Sequence, residues 1–119
     1  MILTKVALKK DSHLEYNSHE LLFLAQSGQP YRGSLYISFT SVGESFDLRE
    51  LKQYITSLRA ETFYAEDIAH EIYTTITNSI ETDNLGVIVD LSARGGIQQR
   101  IRFGTAFTPT QKPNIFQVG

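Results

Sequence analysis

An α+β fold is predicted by three features of this 119-residue sequence. Two amphipathic helical stretches lie side by side in its middle, alternating strand-like segments flank them on both sides, and glycine-bearing breaks separate the units. The resulting order is ββααββ, with four antiparallel strands carrying both helices on one face. A chain of this length with 41% hydrophobic residues fills one ordinary core, so residues 1–119 are expected to form a single domain, with 1–19 an N-terminal strand and loop and 105–119 a tail.

Ile2 to Leu8 mixes apolar and polar positions as a short strand does, and Lys9 to Asn17 reads as loop. Leu21-Leu22-Phe23-Leu24, within His19 to Ala25, is too short for a stable helix and is stopped by Ser27-Gly28-Gln29-Pro30, so it predicts a buried strand. Ser34 to Val42 alternates cleanly, with Leu35, Ile37 and Phe39 on one face and Tyr36, Ser38 and Thr40 on the other. Gly43-Glu44-Ser45 then breaks the chain before the first helix.

That helix is announced by Asp47, an N-cap residue, and by Leu48, Leu51, Ile55 and Leu58 at helical spacing, while Arg49, Glu50, Lys52, Gln53 and Arg59 make a charged face. After the Ala60-Glu61-Thr62 corner, Thr62 is expected to cap a second helix, with Glu66 and Asp67 at its positive dipole end. Ile68, Ala69, Ile72, Tyr73, Ile76 and Ile80 form its apolar stripe, which fades at Thr82-Asp83-Asn84. Asn84 to Leu91 is a β-branched strand, Arg94-Gly95-Gly96 a turn, and Ile97 to Phe103 an alternating strand, so the two pair as a hairpin. From Thr105 onward, with Pro109 and Pro113, no period is visible.

The edges at Ile2–Leu8 and Phe103, and the sheet face carrying Tyr36 and Ile88, would stay uncovered in a monomer. They predict a cyclic homo-oligomer closed into a barrel. Several function classes are set aside by composition. A net charge of −2 offers no basic field for nucleic acid, and the absence of cysteine excludes disulfides and any thiolate nucleophile. No run approaches the ~18 apolar residues of a membrane span, and Lys5 follows Met1-Ile2-Leu3 too closely for a signal peptide, so no membrane partner and a cytoplasmic location are expected. His13, His19 and His70 lie scattered without ligand spacing, so no metal site is expected.

Four segments in this order, Ser27 to Phe39 (SGQPYRGSLYISF), Leu51 to Arg59 (LKQYITSLR), Glu66-Asp67 and Ala93 to Ile97 (ARGGI), together resemble the NADPH-dependent 7-cyano-7-deazaguanine reductases. These are the QueF-type nitrile reductases of queuosine biosynthesis, and the resemblance spans roughly residues 20 to 104. It implies the tunnelling fold, whose ββααββ subunits assemble into rings around a central tunnel. It also implies a ligand-gripping glutamate at Glu66, whose planar carboxylate would accept two parallel hydrogen bonds from the edge of a guanine-like, 7-deazaguanine or pterin ring.

Within the resemblance, the residues that do the family's chemistry are replaced. The family's nucleophilic Cys, four residues before Gly-Gln-Pro, corresponds to Leu24, so a thioimide cannot form. The proton-transferring Asp that follows Gly-Gln-Pro corresponds to Tyr31, a phenol and a far weaker acid than a carboxyl group. The His before the glutamate corresponds to Ala65. Asp47 to Tyr54 aligns with the NADPH-binding stretch, where Arg49 and Lys52 suit phosphates and Glu50 repels them. For the same residues a plain solvated helix face is the favoured reading, while Glu66 with Asp67 equally suits plain dipole stabilisation.

The expectation is therefore a tunnelling-fold protein that binds a purine- or pterin-like ring without nitrile reduction. Two alternatives stand beside it. One is an enzyme of the dihydroneopterin aldolase type using Lys52, Tyr54 and Glu66, by fold analogy; the other is a structural subunit completing a ring.

Overall fold

The computed structural model describes residues 1–110. Its strands are β1 (Lys5–Ala7), β2 (His13–Leu24), β3 (Pro30–Ser41), β4 (Glu44–Phe46), β5 (Thr82–Arg94) and β6 (Ile97–Gly104), with helices α1 (Leu48–Ser57) and α2 (Ile68–Ser79) between β4 and β5. The main sheet is antiparallel in the order β2-β3-β5-β6, and β1 pairs with β4 in a separate two-stranded ribbon. Helix α1 packs beside β2, whereas α2 packs on β5 and β6.

Alternation decides what faces the helices. Leu35, Ile37 and Phe39 of β3 and Val87, Val89 and Leu91 of β5 are buried under Leu51, Ile55 and Leu58 from the α1 side and Ile68, Ile72 and Ile76 from α2. Asp47 caps α1 as expected, its Oδ1 accepting from the Arg49 amide at 2.8 Å and the Glu50 amide at 3.4 Å. The Gly95-Gly96 turn closes the β5–β6 hairpin with φ of 60° and 79°, the left-handed geometry a two-residue hairpin turn requires.

Several expectations are corrected. Residues 13–17 are not loop but the first half of β2: Leu14 and Tyr16 pack on the core while His13, Glu15 and Asn17 alternate outward, and a polar outer face had disguised the strand. Gly43-Glu44-Ser45 is not a simple break, because β4 starts at Glu44. Ile2–Leu8 is likewise not an edge of the main sheet: only Lys5–Ala7 is strand, and it pairs with β4. The sheet's edges are β2 and β6.

Leu48, expected on the buried stripe, is 62% exposed, and Tyr54 takes a core position instead. Thr62 does not cap α2. It forms a parallel bridge with Leu24, and α2 begins after a 3₁₀ turn at Ala65–Asp67 with no side-chain cap.

The sheet face away from the helices, expected to stay uncovered in a monomer, carries Tyr36 and Ile88 among His13, Glu15, Asn17, Arg32, Ser34, Asp90, Arg100 and Arg102, so it is mostly polar. Ile88 is only 2% exposed. The strap 105–110 returns over this face: the Thr105 amide donates to the Leu85 carbonyl at 2.8 Å, and the Thr110 amide and hydroxyl reach the Glu15 carboxylate at 2.9 and 3.0 Å. Gly86 permits the crossing, since a Cβ there would lie 2.8 Å from the Phe107 ring and closer still to the Thr105 carbonyl oxygen. Pro113 lies outside the described residues.

Candidate functional site

The C-terminal end of β2, the start of β3, the end of β5 and the start of β6 meet at one end of the sheet, where Leu24, Tyr31, Arg94 and Gln99 stand. The turn bearing Glu66 is stitched to the same end by backbone bonds: the Leu24 amide donates to Glu61 O and the Phe63 amide to Leu24 O, both at 2.9 Å. Phe23 is fully buried, its ring 5.1 Å from Tyr31 in a stack and 6.0 Å from Phe63 edge-on, so one aromatic cluster anchors both β3 and the Glu66 turn.

Ala65 is buried, which turns its neighbour Glu66 outward. Gln99 Nε2 donates to Glu66 Oε1 at 3.3 Å, and among the described residues the second carboxylate oxygen accepts no hydrogen bond. Glu66 also sits one residue from Asp67 at the opening of α2, where the helix dipole favours a negative group. The arrangement leaves a planar, anionic acceptor at the surface beside the β6 edge.

Leu24 and Tyr31 occupy this same end, and neither supplies a nucleophile or a carboxylic acid. The Tyr31 ring lies under Arg94, whose guanidinium carbon is 4.5 Å from its centroid and whose Nη2 donates to Gln29 Oε1 at 2.6 Å. Sequence reasoning missed Arg94 as a side chain. It is read there only as part of the ARGGI segment and its turn, and its place over the Tyr31 ring is a tertiary fact.

Asp47, Arg49 and Lys52 lie elsewhere. Arg49 and Lys52, joined by Arg59, Glu20 and Tyr16, line a cleft of about 370 Å³ between α1 and β2, floored by Leu35, Ile37, Leu51 and Ile55. Arg49 Nη2 bonds Asp47 Oδ2 at 3.4 Å, and this guanidinium, with the Arg49 and Glu50 amides, holds the Asp47 carboxyl below the usual carboxylate range. Glu50 is drawn off to the N-terminal segment, its Oε1 accepting from the Thr4 amide at 3.0 Å. Among the described residues, Lys52 and Arg59 form no ion pair. Glu66 is thus beside the β6 edge and the cationic cleft beside the β2 edge, at opposite sides of one chain.

The aldolase-type set of Lys52, Tyr54 and Glu66 is not brought together in one chain. Tyr54 is 5% exposed, its hydroxyl 3.1 Å from the Thr75 hydroxyl between the helices. Burial pushes this phenol up to about 12 against the lowering effect of Thr75. Since the unfolded phenol ionises near 10.0, Tyr54 favours the folded state fully below that pH and loses this contribution as pH climbs towards 12. Tyr54→Phe should therefore weaken the alkaline fall in stability between these values, measured by urea unfolding at stepped pH.

His13 and His19 bond Thr40 and Ser34, and His70 packs edge-on against Phe103. Among the described residues no three potential metal ligands cluster, and no helix there is long and apolar enough to cross a membrane.

The four-stranded antiparallel sheet, with α1 and α2 on one face between β3 and β5, makes an α+β domain, consistent with the fold the resemblance implies. Residues 30–109 match the family model described as QueF-like protein, and the chain belongs to that family. Among similar proteins is the NADPH-dependent 7-cyano-7-deazaguanine reductase of Sulfurimonas denitrificans, 23% identical over 117 residues that cover 88% of this chain and 94% of that protein. The reductase of the same name from Thermomicrobium roseum is 27% identical over 90 residues, covering 75% of this chain and 70% of that protein.

Proposed function

We propose that this QueF-like protein binds a guanine-like, 7-deazaguanine or pterin ring through Glu66 and does not reduce a nitrile. The observation that carries this reading is the surface carboxylate of Glu66, with a free oxygen, at the sheet end where Leu24 and Tyr31 replace the family's thiol and acid. A carboxylate with both oxygens available accepts in parallel from the ring N–H and the exocyclic amine, a pair of charge-assisted bonds that fixes the ring in its plane. Gln99, moving off Oε1, is a second polar group for the same edge.

The cleft beside α1 suits part of the NADPH that the named reductases use. Lys52 and Arg59 supply unpaired positive charge for its phosphates, and the anion Glu50 is held away on Thr4. NADPH supplies a hydride when bound. Without a thiolate, this chain offers no covalent thioimide to receive it.

The open edges at β2 and β6 support a site shared between copies. Placing the β6 edge of one copy against the β2 edge of the next pairs the open backbone groups of both and sets Glu66 of one subunit beside the cationic cleft of its neighbour. A cyclic homo-oligomer in the cytoplasm is the assembly this reading requires. Calorimetric titration with 7-cyano-7-deazaguanine, guanine and neopterin should give saturable heat with at least one of them, and light scattering should report a multimer at micromolar concentration. Absence of heat from all three with assembled protein would leave the structural-subunit reading instead.

A further inference from the structure

The polar face of the sheet carries a second cleft, unconnected with Glu66. Its floor is one straight rung across four strands, Asn17 on β2, Tyr36 on β3, Ile88 on β5 and Arg102 on β6, as the register pairs them. The adjacent rung holds Ser34, Asp90 and Arg100, with His19 hydrogen-bonded to Ser34 at 2.8 Å and set edge-on to Tyr36 at 6.2 Å. Thr108, Pro109 and Thr110 of the strap border these rungs from above, and the cleft between, open on one side to solvent, is about 490 Å³.

The charges within it are unequal. Asp90 Oδ2 takes the Arg100 guanidinium at 2.9 and 3.2 Å and leaves Arg102, which forms no ion pair among the described residues, as the net positive group. The centre is flat and apolar, formed by Tyr36 and Ile88, and the far side offers the Asn17 amide and the His19 ring. A ligand that satisfies all three zones has a planar body on Tyr36, a hydrogen-bonding edge towards β2 and one anionic group at Arg102. The volume falls within the ~300–1,000 Å³ of small-molecule sites.

We infer that this strap-roofed cleft is a second binding site, for a planar heteroaromatic ring bearing a single phosphate or carboxylate, the class to which nucleoside monophosphates belong. The strap makes the site and the sheet supplies its chemistry: ring contact from Tyr36, charge-assisted bonds from Arg102, and edge recognition from Asn17 and His19.

AMP is the probe, because adenine lacks the paired N–H and amine donors that Glu66 requires. In titrations of the full chain, AMP should bind, and adenosine and ribose 5-phosphate should each bind at least about tenfold more weakly. Arg102→Gln should weaken AMP by about tenfold or more, the scale of a lost charged hydrogen bond. Glu66→Gln should leave it unchanged. In the unmutated protein, amide shifts on AMP addition should cluster at Tyr36, Ile88, Arg102 and Thr108. No AMP binding, equal binding by Arg102→Gln, loss of binding in Glu66→Gln, or shifts centred elsewhere would each overturn the inference.

Discussion

Phe23→Ala is expected to destabilise the protein by about 3–5 kcal/mol, the range for deleting a fully buried aromatic side chain and leaving its cavity. Phe23 is 0% exposed and stands between the Tyr31 and Phe63 rings, so neither neighbour can move in without giving up its own packing. For a domain of this size the loss corresponds to a fall in melting temperature on the order of 10–20 °C. The consequence extends to the site. Phe63, together with Glu61, bonds the Glu66 turn to β2, so loosening it frees the carboxylate from its register with Gln99. Thermal melts followed by circular dichroism measure the first effect. Ligand titration well below the new melting point measures the second. A fall of only a few degrees would mean that the end of β2 is held by its backbone bonds to Glu61 and Phe63, with the aromatic cluster secondary.

Glu66→Ala carries the largest expected effect on binding. Two charge-assisted hydrogen bonds contribute about 1.5–3 kcal/mol each, so their joint loss should weaken a guanine-like or pterin ligand by about a hundredfold or more. Stability should hardly change, because Glu66 is exposed and its one partner among the described residues, Gln99, remains free to bond water. Glu66→Gln separates charge from shape: it keeps a hydrogen-bonding amide but presents one donor where the ring edge also donates, so it should bind nearly as poorly as the alanine variant. If the amide restored full affinity, the carboxylate would not be the group that reads the ring. Titration of both variants against the same ligand checks this.

Much of the fold was legible where the sequence pattern follows burial on one side. Leu35, Ile37 and Phe39 announced β3, Asp47 announced the start of α1, and Gly95-Gly96 announced the β5–β6 turn, because each depends on neighbours close in sequence. What stayed hidden depends on distant partners. The first half of β2 has a polar outer face that reads as loop until β3 is known to lie beside it, and β4 is three residues recognised only through β1. Thr62 looked like a cap, but its backbone is taken by Leu24.

At the candidate site, Glu66 is singled out from the sequence by its place before an apolar helix and by the order of the surrounding motifs. Its Gln99 partner, the Arg94 guanidinium over Tyr31 and the Arg59 contribution to the cleft come from register and helix packing, which no local spacing encodes. The strap over Ile88 was unreadable for the same reason: Thr105 to Thr110 has no periodicity, and only Gly86, on another strand, reveals that backbone must pass close by.

Under the proposed function, ring recognition through Glu66 is separated from the reduction that the relatives' names describe. Incubation of the assembled protein with NADPH and 7-cyano-7-deazaguanine, followed by nicotinamide absorbance and by the absorbance of a thioimide adduct, tests it most directly. The nitrile is expected to bind while NADPH is not oxidised and no adduct appears. Steady NADPH oxidation with formation of the amine, in a chain that contains no cysteine, would contradict it.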